Sequence, residues 1–240
     1  MSNSRFNLTF RVLECRPDSY QGWYQQGNLL RDRGCYQEAL ISYEKALEYY
    51  PNDYWSWYLR GKVLESLKHY LEATTSYARA SEIKPRNYWA WYDEGCLNLE
   101  RVQDYKRAII CFNQALSVMP NNYWALYRLG ETWRLSGDYP TAIAYYDDAL
   151  TLRTGDYWAI YRRGDALRLW GRLTEALCDY AQAATIKPED YWTWYQQGAI
   201  YQQLGRFPEA IHCYEKALAV DPVDEYADEG LKACVAALQS

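Results

Sequence analysis

A strict internal period constrains this chain more than any other feature. Pro17, Pro51, Pro85, Pro120, Pro188 and Pro222 recur in steps of 34, 34, 35, 68 and 34 residues. The missing mark falls at Thr154, where Thr-Gly stands in place of the proline. Between the marks the text repeats as DSYQGWYQQG, NDYWSWYLRG, RNYWAWYDEG, NNYWALYRLG, GDYWAIYRRG and EDYWTWYQQG. Self-similarity at such a period marks an array of small units, each unable to bury its apolar face alone and so obliged to stack on its neighbours. Six copies fill residues 17–221, as 17–50, 51–84, 85–119, 120–153, 154–187 and 188–221, with one residue inserted near 102.

Each copy carries two helical patterns. Positions are counted so that Tyr54 is position 1 of its copy. The preceding residues are Ser19, Asp53, Asn87, Asn122, Asp156 and Asp190. Their short side chains accept from free amides at a helix start, and each such cap contributes about 1 kcal/mol. Helix A then stops near Gly34, Gly137, Gly171 or Gly205, which suit a left-handed helix end. Helix B carries Ala39/Ala46, Ala73/Ala80, Ala108/Ala115, Ala142/Ala149, Ala176/Ala183 and Ala210/Ala217. The members of each pair lie two turns apart on one face, so a second helix can approach closely. A proline ends every helix B but the fourth.

These residues resemble the tetratricopeptide repeat family, whose pattern is Trp at 4, Gly at 8, Ala at 20, an aromatic at 24, Ala at 27 and Pro at 32. Position 4 holds Trp23, Trp57, Trp91, Leu126, Ile160 and Trp194, and position 8 holds Gly27, Gly61, Gly95, Gly130, Gly164 and Gly198. Position 24 holds Tyr43, Tyr77, Phe112, Tyr146, Tyr180 and Tyr214. The chain departs at position 7, where the usual Leu is mostly Gln, Arg or Glu, and at the inserted residue of the third copy. The resemblance spans about 85% of the chain. It implies an all-α, right-handed superhelical solenoid of antiparallel helix pairs. Residues 1–16 are expected to form an N-terminal half-repeat or cap, and 222–240 a C-terminal capping helix, since solenoid ends need a polar closing face.

At ~100° per residue, positions 4, 7 and 11 of helix A share the packed side, and positions 2, 5, 6, 9, 12 and 13 share the opposite arc. In the family that arc lines a concave surface where extended peptides bind. Position 2 is Trp55, Trp89, Trp124, Trp158 and Trp192 after Gln21 in the first copy, and position 5 is Tyr24, Tyr58, Tyr92, Tyr127, Tyr161 and Tyr195. Two aromatic stripes follow. Stiff rings suit binding because they offer large contact area at little entropic cost. Packing between adjacent helices is the competing reading for both stripes, and the stronger one for the tyrosines.

The polar positions of the arc differ between copies. The third presents Asp93 and Glu100, and the fourth and fifth present Arg128, Arg134, Arg162 and Arg168. These arginines could hold carboxylates or stack on the indoles. Alternatively Glu131 and Asp165, each three residues from an arginine on either side, neutralise them within the helix. The family's carboxylate clamp for chaperone tails is not reproduced: position 5 is Tyr throughout, position 2 is never Lys and position 6 is never Asn.

The function classes narrow accordingly. With 26 basic and 31 acidic residues the net charge is −5, which disfavours nucleic acid. No run approaches a membrane span, and the first residues lack the apolar core of a secretory signal, so a cytoplasmic protein is expected. A bacterial origin is a separate expectation, from the look of the repeat text. Seven cysteines without a Cys-x-x-Cys pair, and two histidines, signal no metal, cofactor or catalytic triad. The leading expectation is a non-catalytic scaffold whose groove takes an extended or helical segment of another protein, with the arginines favouring acidic ligands. The alternatives are stacking-based binding of a glycan or single-stranded RNA, and self-association into a homo-oligomer through an exposed end.

Overall fold

The structure is a computed structural model and describes residues 17–239. The segment 1–16, expected to cap the N-terminus, lies outside them. The described residues form thirteen α-helices and no strand. Consecutive helices pack as pairs, and contacts cluster into two units whose sequence boundary falls between Pro120 and Asn121. The first unit contains α1 (Tyr20–Asp32), α2 (Tyr36–Tyr49), α3 (Tyr54–Ser66), α4 (Tyr70–Ile83), α5 (Tyr88–Leu97) and α6 (Tyr105–Val118). The second contains α7 (Tyr123–Ser136), α8 (Tyr139–Leu152), α9 (Tyr157–Leu169), α10 (Leu173–Ile186), α11 (Tyr191–Gln203), α12 (Phe207–Val220) and α13 (Glu225–Gln239).

The caps act as their residue types require. Ser19, Asp53, Asn87, Asn122, Asp156 and Asp190 each accept a backbone amide of the first turn of an A helix, at 2.7–3.3 Å. At the far end the chain enters the left-handed region at Gly34, Gly137, Gly171 and Gly205. Lys68 and Gln103 take the same conformation without glycine, at φ 65° and 60°, which costs about 1–2 kcal/mol each.

The inserted residue of the third copy has a definite form. Asn98–Val102 winds as a π-helical segment before Gln103 turns left-handed. Elsewhere the closing amide reaches back five residues, as in Asp138 N–H to Trp133 O at 3.0 Å, whereas Asp104 N–H reaches back six, to Asn98 O at 3.0 Å. The helix widens by one residue and the turn to α6 is kept.

Packing follows from small residues facing large ones. All twelve alanines of the helix-B pairs are fully buried. The position-8 glycine lies under the position-24 ring: a Cβ built on Gly61 would stand 2.6 Å from Tyr77 Cε1, and one on Gly130 would stand 2.7 Å from Tyr146 Cε1. Only glycine admits that approach. Among the position-4 indoles, Trp57, Trp91 and Trp194 donate Nε1–H to the carbonyls of Pro51, Pro85 and Pro188 at 2.7–3.0 Å, tying each proline turn to the helix after it.

At position 7, the departure from the family pattern, Arg60 and Arg163 join neighbouring repeats, whereas Glu94 pairs within its own. Arg60 donates to Glu44 on α2 at 2.8 Å and to Ser76 on α4 at 2.6 Å. Arg163 grips Asp179 on α10 through two bonds of 2.6 and 2.8 Å and also contacts Asp147 on α8. Glu94 receives Arg107 of α6 at 2.6 Å. Burial pushes the Glu94 carboxyl above its ordinary range, against the pull of Arg107. Polar groups so enclosed are sustained by such partners.

Candidate functional site

The helix-A face opposite the packed side is less open than a single-helix projection implies. Tyr58, Tyr92, Tyr127, Tyr161 and Tyr195 stack on the position-1 tyrosines of their own helices at 5.2–6.1 Å. Each also meets the position-24 ring of helix B at 5.5–6.0 Å. Tyr127 and Tyr161 are buried, and the others half-buried. These rings form three-membered packing ladders, so the position-5 stripe is mainly interior. Burial raises the Tyr127 hydroxyl to about 12 and lifts Tyr161 above its ordinary value as well.

The position-2 indoles behave differently. Trp55 and Trp89 in the first unit, and Trp124, Trp158 and Trp192 in the second, remain 44–56% exposed. Each touches its preceding tyrosine edge-on at 5.0–5.3 Å, which holds the ring upright. In the second unit two cations lie against these rings. The Arg153 guanidinium is 4.3 Å from the Tyr123 centroid and 5.1 Å from that of Trp124. The Lys187 ammonium is 4.2 Å from Tyr157 and 4.8 Å from Trp158. Arg153 and Lys187 were not among the expected site residues. Their signal is a basic residue recurring at the end of helix B, with Lys84 in the second copy placed over Tyr54 at 5.3 Å.

The polar residues of the face fall into two sets of opposite sign. In the first unit Asp93 takes a salt bridge from Lys62 at 2.8 Å and the Tyr58 hydroxyl at 2.6 Å, while Glu65 accepts from Tyr77 at 2.8 Å. In the second unit Glu131 faces Arg128 at 3.6 Å, Arg134 at 3.5 Å and, from the next A helix, Arg162 at 3.3 Å. Asp165 faces Arg162 at 3.2 Å and Arg168 at 4.0 Å, and accepts the Tyr180 hydroxyl at 2.8 Å. All four predicted arginines are thus brought together with both carboxylates. The pairing is only partly within each helix, because Arg162 bridges α9 to α7. Burial lowers the Arg162 pKa, but Glu131 and Asp165 more than offset this, and it lies above its ordinary value.

No cluster of three metal-ligating side chains occurs among the described residues, and none of their helices is long and apolar enough to cross a membrane. Cys111, Cys213 and Cys234 are buried, and burial raises the Cys213 thiol to about 11, away from the thiolate form that reacts.

Four tetratricopeptide repeat models match the chain, at residues 20–53, 42–75, 97–157 and 191–224, together more than half its length. No curated protein sequence matches it. Among solved structures it is similar to YrrB, described as a TPR protein with an unusual peptide-binding site. That likeness has 25% identity and a TM-score of 0.68, and covers 79% of this chain and 97% of YrrB. The C-terminal part of a TPR repeat-containing protein from Cytophaga hutchinsonii superposes with a TM-score of 0.79 at 15% identity, over 94% of this chain and 92% of that one. PilW, a type IV pilus biogenesis factor, gives 0.68 at 20% identity, over 90% of this chain and all of PilW.

Proposed function

The chain belongs to the tetratricopeptide repeat family, and from that premise we propose that it is a non-catalytic interaction protein whose exposed indoles anchor a segment of a partner protein. The observation that carries the reading is the contrast along helix A. Every position-5 ring is packed on two others, whereas each position-2 indole keeps about half its surface in solvent. Large rings left exposed at a fixed spacing, held upright by a neighbouring tyrosine, have the character of binding hot spots. The arginines of the second unit favour an acidic segment. YrrB, with its peptide-binding site, supports a peptide as the ligand class.

The test is selection of a displayed random-peptide library on the wild type and on Trp124→Ala/Trp158→Ala, with helicity compared by circular dichroism. A sequence consensus recovered by the wild type and lost by the variant supports the reading. Equal recovery by both removes the indoles as anchors. Binding on a glycan or single-stranded RNA array, lost in the variant while no peptide is recovered, replaces the partner segment with that ligand.

A further inference from the structure

Position 31, the residue that closes helix B, changes sign along the second unit. It is Arg153, Lys187 and Asp221 in successive copies. All three hold one backbone conformation, with φ −136°, −130° and −126° and ψ 82°, 84° and 94°. Arg153 and Lys187 stand against Trp124 and Trp158. Both are exposed, and neither forms an ion pair among the described residues. The caps that follow them, Asp156 and Asp190, spend carboxylate oxygens on the amides of Ala159 and Thr193. Asp221 has the equivalent place beside Tyr191 and Trp192, is exposed, and accepts only the Val223 amide, at 3.3 Å. Burial, the Asp224 hydrogen bond and the Asp221 charge together raise the Tyr191 hydroxyl. The ring stripe also continues past Asp221, since Tyr226 of α13 follows Trp192 by the same 34 residues and is 69% exposed.

The spacing of these groups selects a conformation for what lies on them. Neighbouring A helices of this unit touch, Arg162 of α9 reaching Glu131 of α7 at 3.3 Å and Tyr157 of α9 meeting Thr193 of α11 at 3.2 Å. Helices in contact lie about 8–10 Å apart, so each ring and its charge recur at about that step. A polyproline II segment has three residues per turn and rises about 3.1 Å per residue, so every third side chain returns to one face after about 9 Å. A β-strand turns its third side chain to the opposite face. An α-helix returns to the same face only after about seven residues and 10.5 Å. Aromatic-lined grooves also suit polyproline II segments, whose preformed shape leaves little entropy to lose.

We infer that the indole face of the second unit takes a partner segment in the polyproline II conformation, with acidic side chains three residues apart against Arg153 and Lys187 and a basic side chain three residues further against Asp221. The inference rests on the partner-binding reading above. Complementary charges fix register and partner choice more than they add affinity. The order plus, plus, minus therefore sets which segment binds and in which direction it lies.

The test is selection of the displayed random-peptide library on the full chain, on Arg153→Glu/Lys187→Glu and on Asp221→Lys. Arg206→Glu, at an exposed residue paired with Glu209 of α12, serves as the control reversal. The wild type is expected to recover two acidic residues three apart and a basic residue three further along, with proline enriched between them. The double reversal should recover basic residues at the first two places, and Asp221→Lys an acidic residue at the third. Synthetic peptides of the wild-type consensus, titrated by tryptophan fluorescence, should weaken about 2- to 30-fold on each single reversal. Most of that difference should vanish between about 0.1 M and about 1 M salt, where screening shortens to about 3 Å. Arg206→Glu should leave both readouts unchanged. The wild-type consensus and its spacing need no variant, so they decide even where a reversal costs helicity.

A consensus that depends on the indoles but lacks these charges, or that the reversals leave unchanged, overturns the inference while the partner reading stands. Acidic residues seven apart overturn it in favour of a helical segment. Equal losses for Arg206→Glu overturn it by reducing the effect to net charge. If the wild type recovers no peptide, the partner reading fails and the inference fails with it.

Discussion

Gly130→Ala and Gly164→Ala make the same chemical change one repeat apart, and the structure separates their outcomes. Both glycines occupy position 8 of an A helix, where alanine gains about 1 kcal/mol of helix propensity. On Gly130 the new methyl would lie 2.7, 2.8 and 3.0 Å from three carbons of the Tyr146 ring. That ring is fully buried and meets Tyr127 edge-on, so it cannot rotate away, and α7 and α8 must separate. Overpacking of this kind costs about 1–3 kcal/mol, which offsets the propensity gain of about 1 kcal/mol and leaves a net loss of up to about 2 kcal/mol. On Gly164 the nearest atoms are Asp179 Cβ and Tyr180 Cε1, both at 3.2 Å. A shift of a few tenths of an ångström relieves that contact, so gain and cost nearly cancel and the change stays within about 0.5 kcal/mol. Because repeat arrays unfold unit by unit, the assay is native-state hydrogen exchange of the α7–α8 and α9–α10 amides, alongside a thermal melt. Gly130→Ala should speed exchange in α7 and α8 and lower Tm, and Gly164→Ala should leave both nearly unchanged. Equal destabilisation, or a larger loss in Gly164→Ala, would refute the reasoning that ring contact distance decides the sign.

Arg163→Met leaves Asp179, only 5% exposed, without its cation. The expected loss is about 3 kcal/mol in urea titration, and Asp179→Asn added to it should recover part. Trp194→Phe removes the bond to the Pro188 carbonyl and should cost about 1 kcal/mol by the same titration. Alkaline pH should unfold the chain cooperatively. Burial raises Tyr127 from 10.0 to about 12 and Tyr161 as well, so the folded state holds these protons more tightly. That stabilisation is complete below pH 10 and is lost as pH rises towards 12. Tyrosinate absorbance at 295 nm should therefore rise together with the loss of helical circular dichroism, and smooth ionisation of the buried rings with helicity intact would contradict it.

Much of the fold was legible because its determinants are local. Caps such as Asp53 and Asn122, the alanine pairs and the position-8 glycines act within one helix or one pair, and the period repeats them until the pattern stands out. The insertion near 102 was equally visible, but a single extra residue can be looped out or wound in. Its π form shows in Asn98 O receiving the amide of Gln103, five residues on, together with that of Asp104. The candidate site was legible only in part. A helical projection treats one helix alone, so it placed Tyr127 and Tyr161 on an open arc that neighbouring rings in fact cover. It found the arginines and their i,i+3 carboxylates, yet not the reach of Arg162 from α9 to Glu131, which requires the spacing between helices.

The position-7 joints give the array an order. Arg60 and Arg163 each meet an acidic residue at position 25 of the preceding copy, Glu44 and Asp147 respectively. Glu94 instead follows a copy whose position 25 is Ala78. The copies read almost alike, but they are not interchangeable pieces. Excising residues 51–84, the slippage error to which tandem repeats are prone, would set Glu94 against Glu44, two carboxylates in an enclosed joint. Loss of that particular copy therefore carries a like-charge contact that the intact array lacks.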